Sequence, residues 1–525
     1  MDMVINSVLV SSAESGDVRV LGDLLRVHFP GAVIAEMSDY QALPGEKDPE
    51  ESTLRLYLEW LPAPQGVSAK LGYRGKEYFL TENLPDLVFQ EEPVNQKRRL
   101  LRLAVYRLIE LASKEIGEIT SPSPWGVLTG VRPTKIVHRL FEQGFSEDRV
   151  KGHLINDYGI SPEKAGLVIN VALVQTPYIR GHITTTAHAA AYTAVPAPKT
   201  VSIYIGIPFC PTRCHYCSFP AFSLVHYGHL VGEYLHVLSR EIASVGLHLK
   251  EMGVSVQSIY IGGGTPTSLS AGQLDELLAV VEKSFAFSDN TEITVEGGRP
   301  DTLNKEKFMV MKNRGVLRIS INPQTMHGPT LTAIGRKHTA SEIIDKYRLA
   351  RQMGFAVINM DLIIGLPGEN TEILKQSLKT VIELRPENIT LHALAIKRAA
   401  NYGKSAVVLP DPAEGKHMMS LAHQALQIQG YIPYYLYRQK EILAQSENVG
   451  YTLPGYPCIY NIQMMEERQT VIGFGVGAGS KFMCPQEQSL ENIYNPKDLG
   501  VYFNRIEEII ATKVDKLTAI VYNCL

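Results

Sequence analysis

Between residues 201 and 395, six short β-branched runs alternate with longer amphipathic stretches, and this alternation limits the fold more than any other feature. The strand-like runs are Ser202–Ile207, Ser258–Ile261, Glu292–Glu296, Arg318–Asn322, Val357–Ile363 and Asn388–Leu394. Between them lie helix-like stretches such as Leu230–Leu249, Gln273–Phe285, Glu342–Met353 and Glu372–Leu384. Strands separated by helices pair in parallel through right-handed crossovers. Six units in succession therefore predict an α/β fold, an incomplete (β/α)6 barrel. In such barrels functional residues gather at the carboxyl ends of the strands.

The loop after the first of these strands reads Cys210-Pro211-Thr212-Arg213-Cys214-His215-Tyr216-Cys217. Soft thiolates suit iron–sulfur clusters, and three within one loop can hold three corners of a 4Fe–4S cube. The fourth iron is then left free to bind a small molecule. Structural zinc wants four closed ligands, commonly two C-x-x-C pairs, and the sequence has no second pair. His215, flanked by Cys214 and Cys217, is poorly placed to complete a zinc set. The remaining cysteines, Cys458, Cys484 and Cys524, share no metal spacing and read as isolated thiols.

The pattern C-x-x-x-C-x-aromatic-C after a strand resembles the radical S-adenosylmethionine (SAM) superfamily. The flanking Tyr204-Ile-Gly-Ile-Pro-Phe-Cys210 and Tyr216-Cys217-Ser-Phe219 resemble its oxygen-independent coproporphyrinogen III oxidase-like branch, in particular the longer group with an extra N-terminal region. The resemblance implies a radical-SAM barrel with an α+β N-terminal region and a mixed C-terminal region. It implies a 4Fe–4S cluster on Cys210, Cys214 and Cys217, with SAM as the exchangeable ligand. The glycine run Gly262-Gly-Gly-Thr-Pro266 looks like the segment that receives the methionine end of SAM, which carries over Gly263, Gly264 and Thr265. Glycines let backbone approach a ligand closely, as a small polar nest. By the same match Glu296, Gln324, Asp361 and Tyr204 stand at SAM contacts, Arg336 at the methionine carboxylate, and Ala395 at a backbone contact. His392 reads as an interior histidine.

The family's chemistry is reductive cleavage of SAM to a 5′-deoxyadenosyl radical and, in the oxidases, oxidative decarboxylation of porphyrinogen propionates in haem biosynthesis. An external flavodoxin- or ferredoxin-like electron donor and a tetrapyrrole substrate are the implied partners. Arg299, Lys337, Lys397, Arg398, Arg438 and Lys440 are candidate partners for substrate carboxylates. True oxidases carry a further cysteine two residues after the third, where this chain has Phe219, as the haem-chaperone branch does. The sequence thus keeps two further readings open: a haem chaperone retaining cluster and SAM, and a radical enzyme on another substrate.

Outside the barrel the signals are weaker. Residues 1–93 read as a small α+β domain, 94–183 as a helical region, 184–200 as a linker, 201–395 as the partial barrel and 396–525 as an accessory C-terminal region. Lys97, Arg98, Arg99 and Arg102 open the helix predicted over Asn95–Ile116 and read as a solvated basic face. Gly473-Phe-Gly-Val-Gly-Ala-Gly-Ser480 lacks the dinucleotide spacing and resembles a glycine-rich segment of the family's C-terminal region. A net charge of −3 gives no strong nucleic-acid signal. No run approaches a membrane span, no secretory leader is evident, and sparse cysteines fit the cytoplasm.

Overall fold

The computed structural model describes residues 5–12, 14, 16–29, 32–38, 52–62, 65–83, 93–116, 123–129, 132–179, 200–219, 221–395, 409–439, 442–484 and 489–524. The chain packs as two compact units, Met1–Asn170 with Arg438–Lys440, and Val171–Tyr437 with Glu441–Leu525. Among the described residues no helix is long and apolar enough to cross a membrane.

The first unit carries a five-stranded sheet in the order β2-β1-β3-β4-β5. Its strands are β1 (Ser7–Ser12), β2 (Val33–Glu36), β3 (Thr53–Pro62), β4 (Gln65–Tyr73) and β5 (Lys76–Asn83). β1 runs parallel to β2 and β3, while β3, β4 and β5 form an antiparallel meander. The helix Pro93–Ser113 lies on β4 and β5, so sheet and helices share one unit. The basic start of this helix is the solvated face expected of it only at Lys97 and Arg98, which are exposed. Arg99 is buried against the Tyr158 ring and donates to Asp157 O, Arg102 donates to Val20 O, and Lys97 pairs with Glu14 over the Trp60 ring. Arg438, expected near the substrate, is buried over the Trp125 ring and donates to Leu128 O. Its charge is already used inside the first unit.

The second unit is built on an 11-stranded sheet. Six parallel strands follow one another through helices: β6 (Thr200–Ile207), β9 (Ser255–Gly263), β10 (Phe287–Glu296), β11 (Arg318–Ser320), β12 (Val357–Ile364) and β13 (Asn388–Ala393). β7 (Phe209–Cys210) and β8 (Phe222–Ser223) form a separate two-stranded clip. Among the described residues the hydrogen-bonded strand order runs from one edge to the other without closing on itself. β14 (Ile432–Tyr437) and β15 (Asn448–Thr452) extend it beyond β13. β16 (Val471–Phe474), β17 (Gly479–Cys484) and β18 (Ser489–Tyr494) extend it beyond β6, with β16 parallel to β6. The region read as irregular after 396 thus adds strands to both edges of the barrel sheet.

The strand sequences explain the two faces. Registered residues Ile203, Ile259, Ile293, Ile319, Ile358 and Ile389 all lie on one face and are buried, as a helix-covered face requires. The opposite face is polar and self-paired: Ser202 with Ser258, Tyr260 with Glu296, and Asn359 with Asp361. At the amino ends of the strands this lumen is stoppered by the helix Ile459–Glu466. Glu292 accepts the Ile459 and Tyr460 N–H groups at 2.9 and 3.4 Å, satisfying donors that a helix start leaves open. Arg318, 3.4 Å from Glu292, donates to Tyr456 O and Pro457 O.

One sequence expectation gains a structural setting here and one changes. The Gly473–Ser480 run is the β16–β17 turn, where a Cβ on Gly475 (φ +94°) would lie 2.3 Å from the Tyr234 hydroxyl. Its glycines serve close packing of the sheet edge. Cys484, read as an isolated thiol, is disulfide-bonded. Spacing along the chain does not report distance across a fold.

Candidate active site

The cysteine loop leaves β6 through Pro208 and is held at its neck by the β7–β8 clip, where Phe222 N–H donates to Pro208 O at 2.8 Å. Cys210 and Cys217 are half-buried and Cys214 is buried. Burial pushes the Cys210 thiol up to about 11, with Cys214 and Cys217 adding to the rise and Thr265 and Arg299 opposing it. Burial also raises Cys217. The three thiols therefore face one another closely enough to interact.

His215 is not one of the sulfur set's companions. Its Nδ1 lies 3.1 Å from Ala333 O, its N–H donates to Ile334 O, and its ring packs over Gly335 (φ +78°). A Cβ on Gly335 would approach the ring to 3.1 Å, which is why a glycine stands there.

The glycine run after β9 is built against this loop. Gly264 N–H donates to Ile207 O at 2.8 Å and Thr265 N–H to Phe209 O at 2.9 Å. Gly263 N–H is donated to Glu296. The amides expected to form an open nest are thus engaged in the fold, locking the cysteine loop to β9 and β10. A Cβ on Gly264 would lie 2.8 Å from Phe209 O and 3.0 Å from Cys210 Sγ. Gly264→Ala is expected to lower iron incorporation severalfold, measured as iron per chain after anaerobic reconstitution. Gly272→Ala, on an open helix face with nothing within 4 Å, is expected to leave it unchanged.

Three ionisable groups meet above the lumen. Glu296 ends β10, Asp361 lies on β12 and His392 on β13. Tyr260 OH donates to Glu296 Oε1 at 2.5 Å, and Asn359 Nδ2 donates to Asp361 Oδ1 at 2.8 Å. His392 Nε2 stands 3.7 Å from Asp361 Oδ2. Burial lifts Glu296 to about 7, against its Tyr260 and Gly263 donors and His392, with Asp361 adding to the rise. Burial would also raise Asp361, but His392, Asn359 and Thr390 outweigh it and hold the carboxyl below its usual range. His392 is raised, since Asp361, Asn448 and Glu296 overcome its burial. The histidine read as interior lies 3.7 Å from one carboxylate, Asp361, which favours its protonated form.

Gln324 follows β11 with φ +65°, a left-handed conformation rare for a side chain with a Cβ. Its backbone is stitched to β12, with its N–H on Asp361 O and its C=O accepting Ile363 N–H, both at 2.9 Å. Such strain persists where surrounding structure enforces it, often at functional sites. The next residue, Thr325, donates to the buried carboxyl of Glu369 at 2.5 Å. Burial lifts Glu369 to about 7 against the Thr325 and Thr330 hydroxyls.

Arg336 is 7% exposed. It donates to Asn322 O at 2.7 Å and to Gly298 O at 3.4 Å and lies 3.5 Å from Tyr216 OH. Among the described residues its Nε has no hydrogen-bond partner. Arg299, expected to await a substrate carboxylate, is instead turned inward onto Thr212, donating to its O and Oγ1 at 2.7 and 2.8 Å. Lys337 is exposed, Ala395 forms an isolated bridge with Ile442, and Lys397, Arg398 and Lys440 lie outside the described residues.

Tyr204 stacks on Tyr460, and Tyr460 stacks on Tyr260 with ring centroids 4.6 Å apart. Burial raises all three hydroxyls. Tyr260 and Tyr460 were not among the sequence candidates. A signal for Tyr260 was present: Ser202-Ile-Tyr-Ile-Gly206 and Ser258-Ile-Tyr-Ile-Gly262 are identical and pair in register. Tyr460 has none, because the helix carrying it enters the lumen from far along the chain.

The donor set fits an iron–sulfur cluster. A single ion needs converging donors, and among the described residues no three His, Cys, Asp or Glu side chains converge that way. A cluster takes one thiolate per iron. The Gly264 backbone leaves the space beside Cys210 that a side chain would fill.

The radical SAM superfamily profile matches residues 204–381. Over 94% of its length the chain is 40% identical to the oxygen-independent coproporphyrinogen-III oxidase-like protein HemZ of Bacillus subtilis, covering 96% of that protein. It is 31% identical to the heme chaperone HemW of the same organism, over 53% of this chain and 70% of that one. It is also 31% identical to HemW of Escherichia coli, over 55% and 72%. Among solved structures it resembles coproporphyrinogen III oxidase (HemN) of Escherichia coli, at a TM-score of 0.50 and 22% identity, over 62% of this chain and 76% of that one. That likeness establishes the shared fold.

Proposed function

The chain belongs to the radical SAM superfamily and, within it, to the oxygen-independent coproporphyrinogen-III oxidase-like family, and we propose that it is a cytoplasmic enzyme performing SAM-dependent oxidative decarboxylation of porphyrinogen propionates. The observation that carries the reading is the clipped three-cysteine loop bonded to the Gly262–Thr265 run, whose Gly263 N–H reaches Glu296 on β10. When bound, the 4Fe–4S cluster and SAM supply one electron and, by cleavage of the S–C5′ bond, a 5′-deoxyadenosyl radical. An external flavodoxin- or ferredoxin-like protein provides the electron.

The chain's own residues bind, orient and exclude water. Cys210, Cys214 and Cys217 hold the cluster. Glu296 and Asp361 offer negative charge to the amino and sulfonium groups of SAM, and Gln324 offers a polar side chain on a rigid, strained turn. Arg336 keeps an unpartnered Nε for a carboxylate, which a charge-assisted hydrogen bond would suit. Gly263, Gly264 and Thr265 set the distance between cofactor and cluster loop. Tyr204 with its stacked partners closes the lumen beneath, and Ala395 lies at its rim.

Because Glu296 titrates near 7, it is largely protonated below that pH and cannot pair with a cation. Affinity for SAM is expected to rise about tenfold, roughly 1.4 kcal/mol, between pH 6 and pH 8. Glu296→Gln should flatten the profile at the weaker level. Equilibrium dialysis with labelled SAM across this range measures both, and a flat wild-type profile would contradict the role.

A second reading is favoured by one observation. Phe219, in the position of the oxidases' additional cysteine, is 67% exposed beside the cluster loop. An exposed aromatic there suits the flat apolar face of a haem, and so supports a haem chaperone. The deciding assay is anaerobic, with reduced, reconstituted protein and SAM, with and without coproporphyrinogen III. Joint appearance of 5′-deoxyadenosine and decarboxylated product supports the oxidase. SAM cleavage without decarboxylation indicates another radical substrate. Neither product, together with stoichiometric haem binding, would establish the chaperone.

A further inference from the structure

Arg299 is 3% exposed. A buried guanidinium is costly unless an anion and hydrogen bonds compensate it. Among the described residues its hydrogen bonds go to neutral groups, Thr212 O and Oγ1, and its Nε makes none. The carboxylate nearest to its Nε, Asp301, stands 3.6 Å away and is itself one-third exposed, hence partly screened by water. His338, also interacting with Arg299, is 4% exposed, and neither of its ring nitrogens has a hydrogen-bond partner. Burial first, then the Arg336 and Arg299 charges, lowers it to about 3, so it stays neutral and adds no compensation.

The missing negative charge lies on the other side of Thr212. This residue sits midway between Cys210 and Cys214, so the Arg299 guanidinium, bonded to Thr212 O and Oγ1, is held against the middle of the cysteine loop. A 4Fe–4S core with three thiolates carries net negative charge, which grows by one when an electron is taken up. A fixed cation in a poorly screened site stabilises the reduced form more than the oxidised one.

We propose that Arg299 is the buried counter-cation of the cluster: it pins the cysteine loop at Thr212, and its charge raises the reduction potential of the bound cluster. This rests on the reading of Cys210, Cys214 and Cys217 as cluster ligands. Arg299 is a positioning residue; it touches the loop and not the substrate.

The test is a redox titration followed by electron paramagnetic resonance on the full-length, reconstituted protein, without SAM. Arg299→Met removes the charge at similar length and is expected to make reduction at least tenfold less favourable, a fall of about 59 mV for a one-electron couple. Arg299→Lys keeps the charge and should recover most of that loss. A purely structural role predicts instead that both variants lose cluster content while the potential of what remains is unchanged. Arg299→Met loaded to wild-type iron content with a wild-type potential would overturn the inference. If Arg299→Met takes up no cluster, Asp301→Asn decides, because removing the opposing carboxylate should raise the potential, and an unmoved value would overturn the proposal. A wild-type protein that binds no 4Fe–4S cluster would sink the underlying reading, whereas a loaded wild type with an unshifted variant sinks this inference alone.

Discussion

Replacing Cys210, Cys214 or Cys217 with alanine, one at a time, is expected to abolish the 4Fe–4S signal and all SAM cleavage. The loss should be complete, because the three thiols come from one short loop and the nearest candidate substitutes are occupied. Thr265 offers a hydroxyl 3.4 Å from Cys210 Sγ, a poor ligand for iron, and His215 is bound to Ala333 O and packed over Gly335. The Cys458 thiol is buried next to Glu292, among the residues that stopper the amino end of the lumen. Replacing it is expected to leave the cluster spectrum intact. Iron content and low-temperature paramagnetic resonance of the dithionite-reduced variants check both statements. A full-strength cluster signal in any of the three loop variants would remove the basis of the functional reading.

Lys513→Met is expected to destabilise the second unit by about 3–5 kcal/mol, the usual cost of stranding one member of a buried ion pair. Lys513 is 1% exposed and donates to Glu241 and to Gly473 O. Glu241, fully buried, also accepts from Tyr502 OH at 2.7 Å and from Gly475 N–H and Asn495 Nδ2 at 2.9 Å. These donors come from the β16–β17 turn, Asn495 just after β18, the short helix Leu499–Asn504 and the C-terminal helix Ile506–Cys524, all converging on one carboxylate of the helix Val231–Glu251. Without the ammonium, Glu241 either keeps an uncompensated charge or takes up a proton. The double variant Glu241→Gln, Lys513→Met should therefore recover part of the loss. Urea unfolding followed by near-ultraviolet circular dichroism measures the difference. Single and double variants losing equal stability would show that the charge itself is not what matters.

Much of the barrel could be read directly from the sequence. The predicted Leu230–Leu249 helix is observed at Val231–Glu251, and Glu372–Leu384 at Thr371–Leu384. Local patterns suffice there because each strand and helix buries a face whose residues are close in sequence. The strand-end candidates Glu296 and Asp361 are likewise brought together with the His392 side chain by the regularity of the repeat. What could not be read is whatever depends on residues distant along the chain. β16 pairs with β6, and β15 with β13, across long intervening segments. Nothing in the local sequence of Val471–Phe474 marks it as the neighbour of Ser202–Ile205.

The basic residues show the same limit most clearly. In sequence Arg299 and Arg438 look like cations available to a ligand, and Arg102 like part of a solvated face. In the fold they hold Thr212 O, Leu128 O and Val20 O respectively. A side chain's charge is fixed by its identity, but its partner is fixed by packing.

The sequence by itself determined the chemistry that is possible: three thiolates in one loop, glycines where a side chain would strike that loop, and polar residues alternating with aliphatic ones along parallel strands. Those are local properties, set by residue type and period. Only the tertiary structure decided which charges are free and which are used. It placed the Ile459–Glu466 helix against Tyr204 and Tyr260, turned Arg299 onto the cysteine loop and set His392 beside Asp361. The physical reason is that burial and charge pairing depend on distance in space, and the energy of an ion depends on what surrounds it more than on what precedes it in the chain.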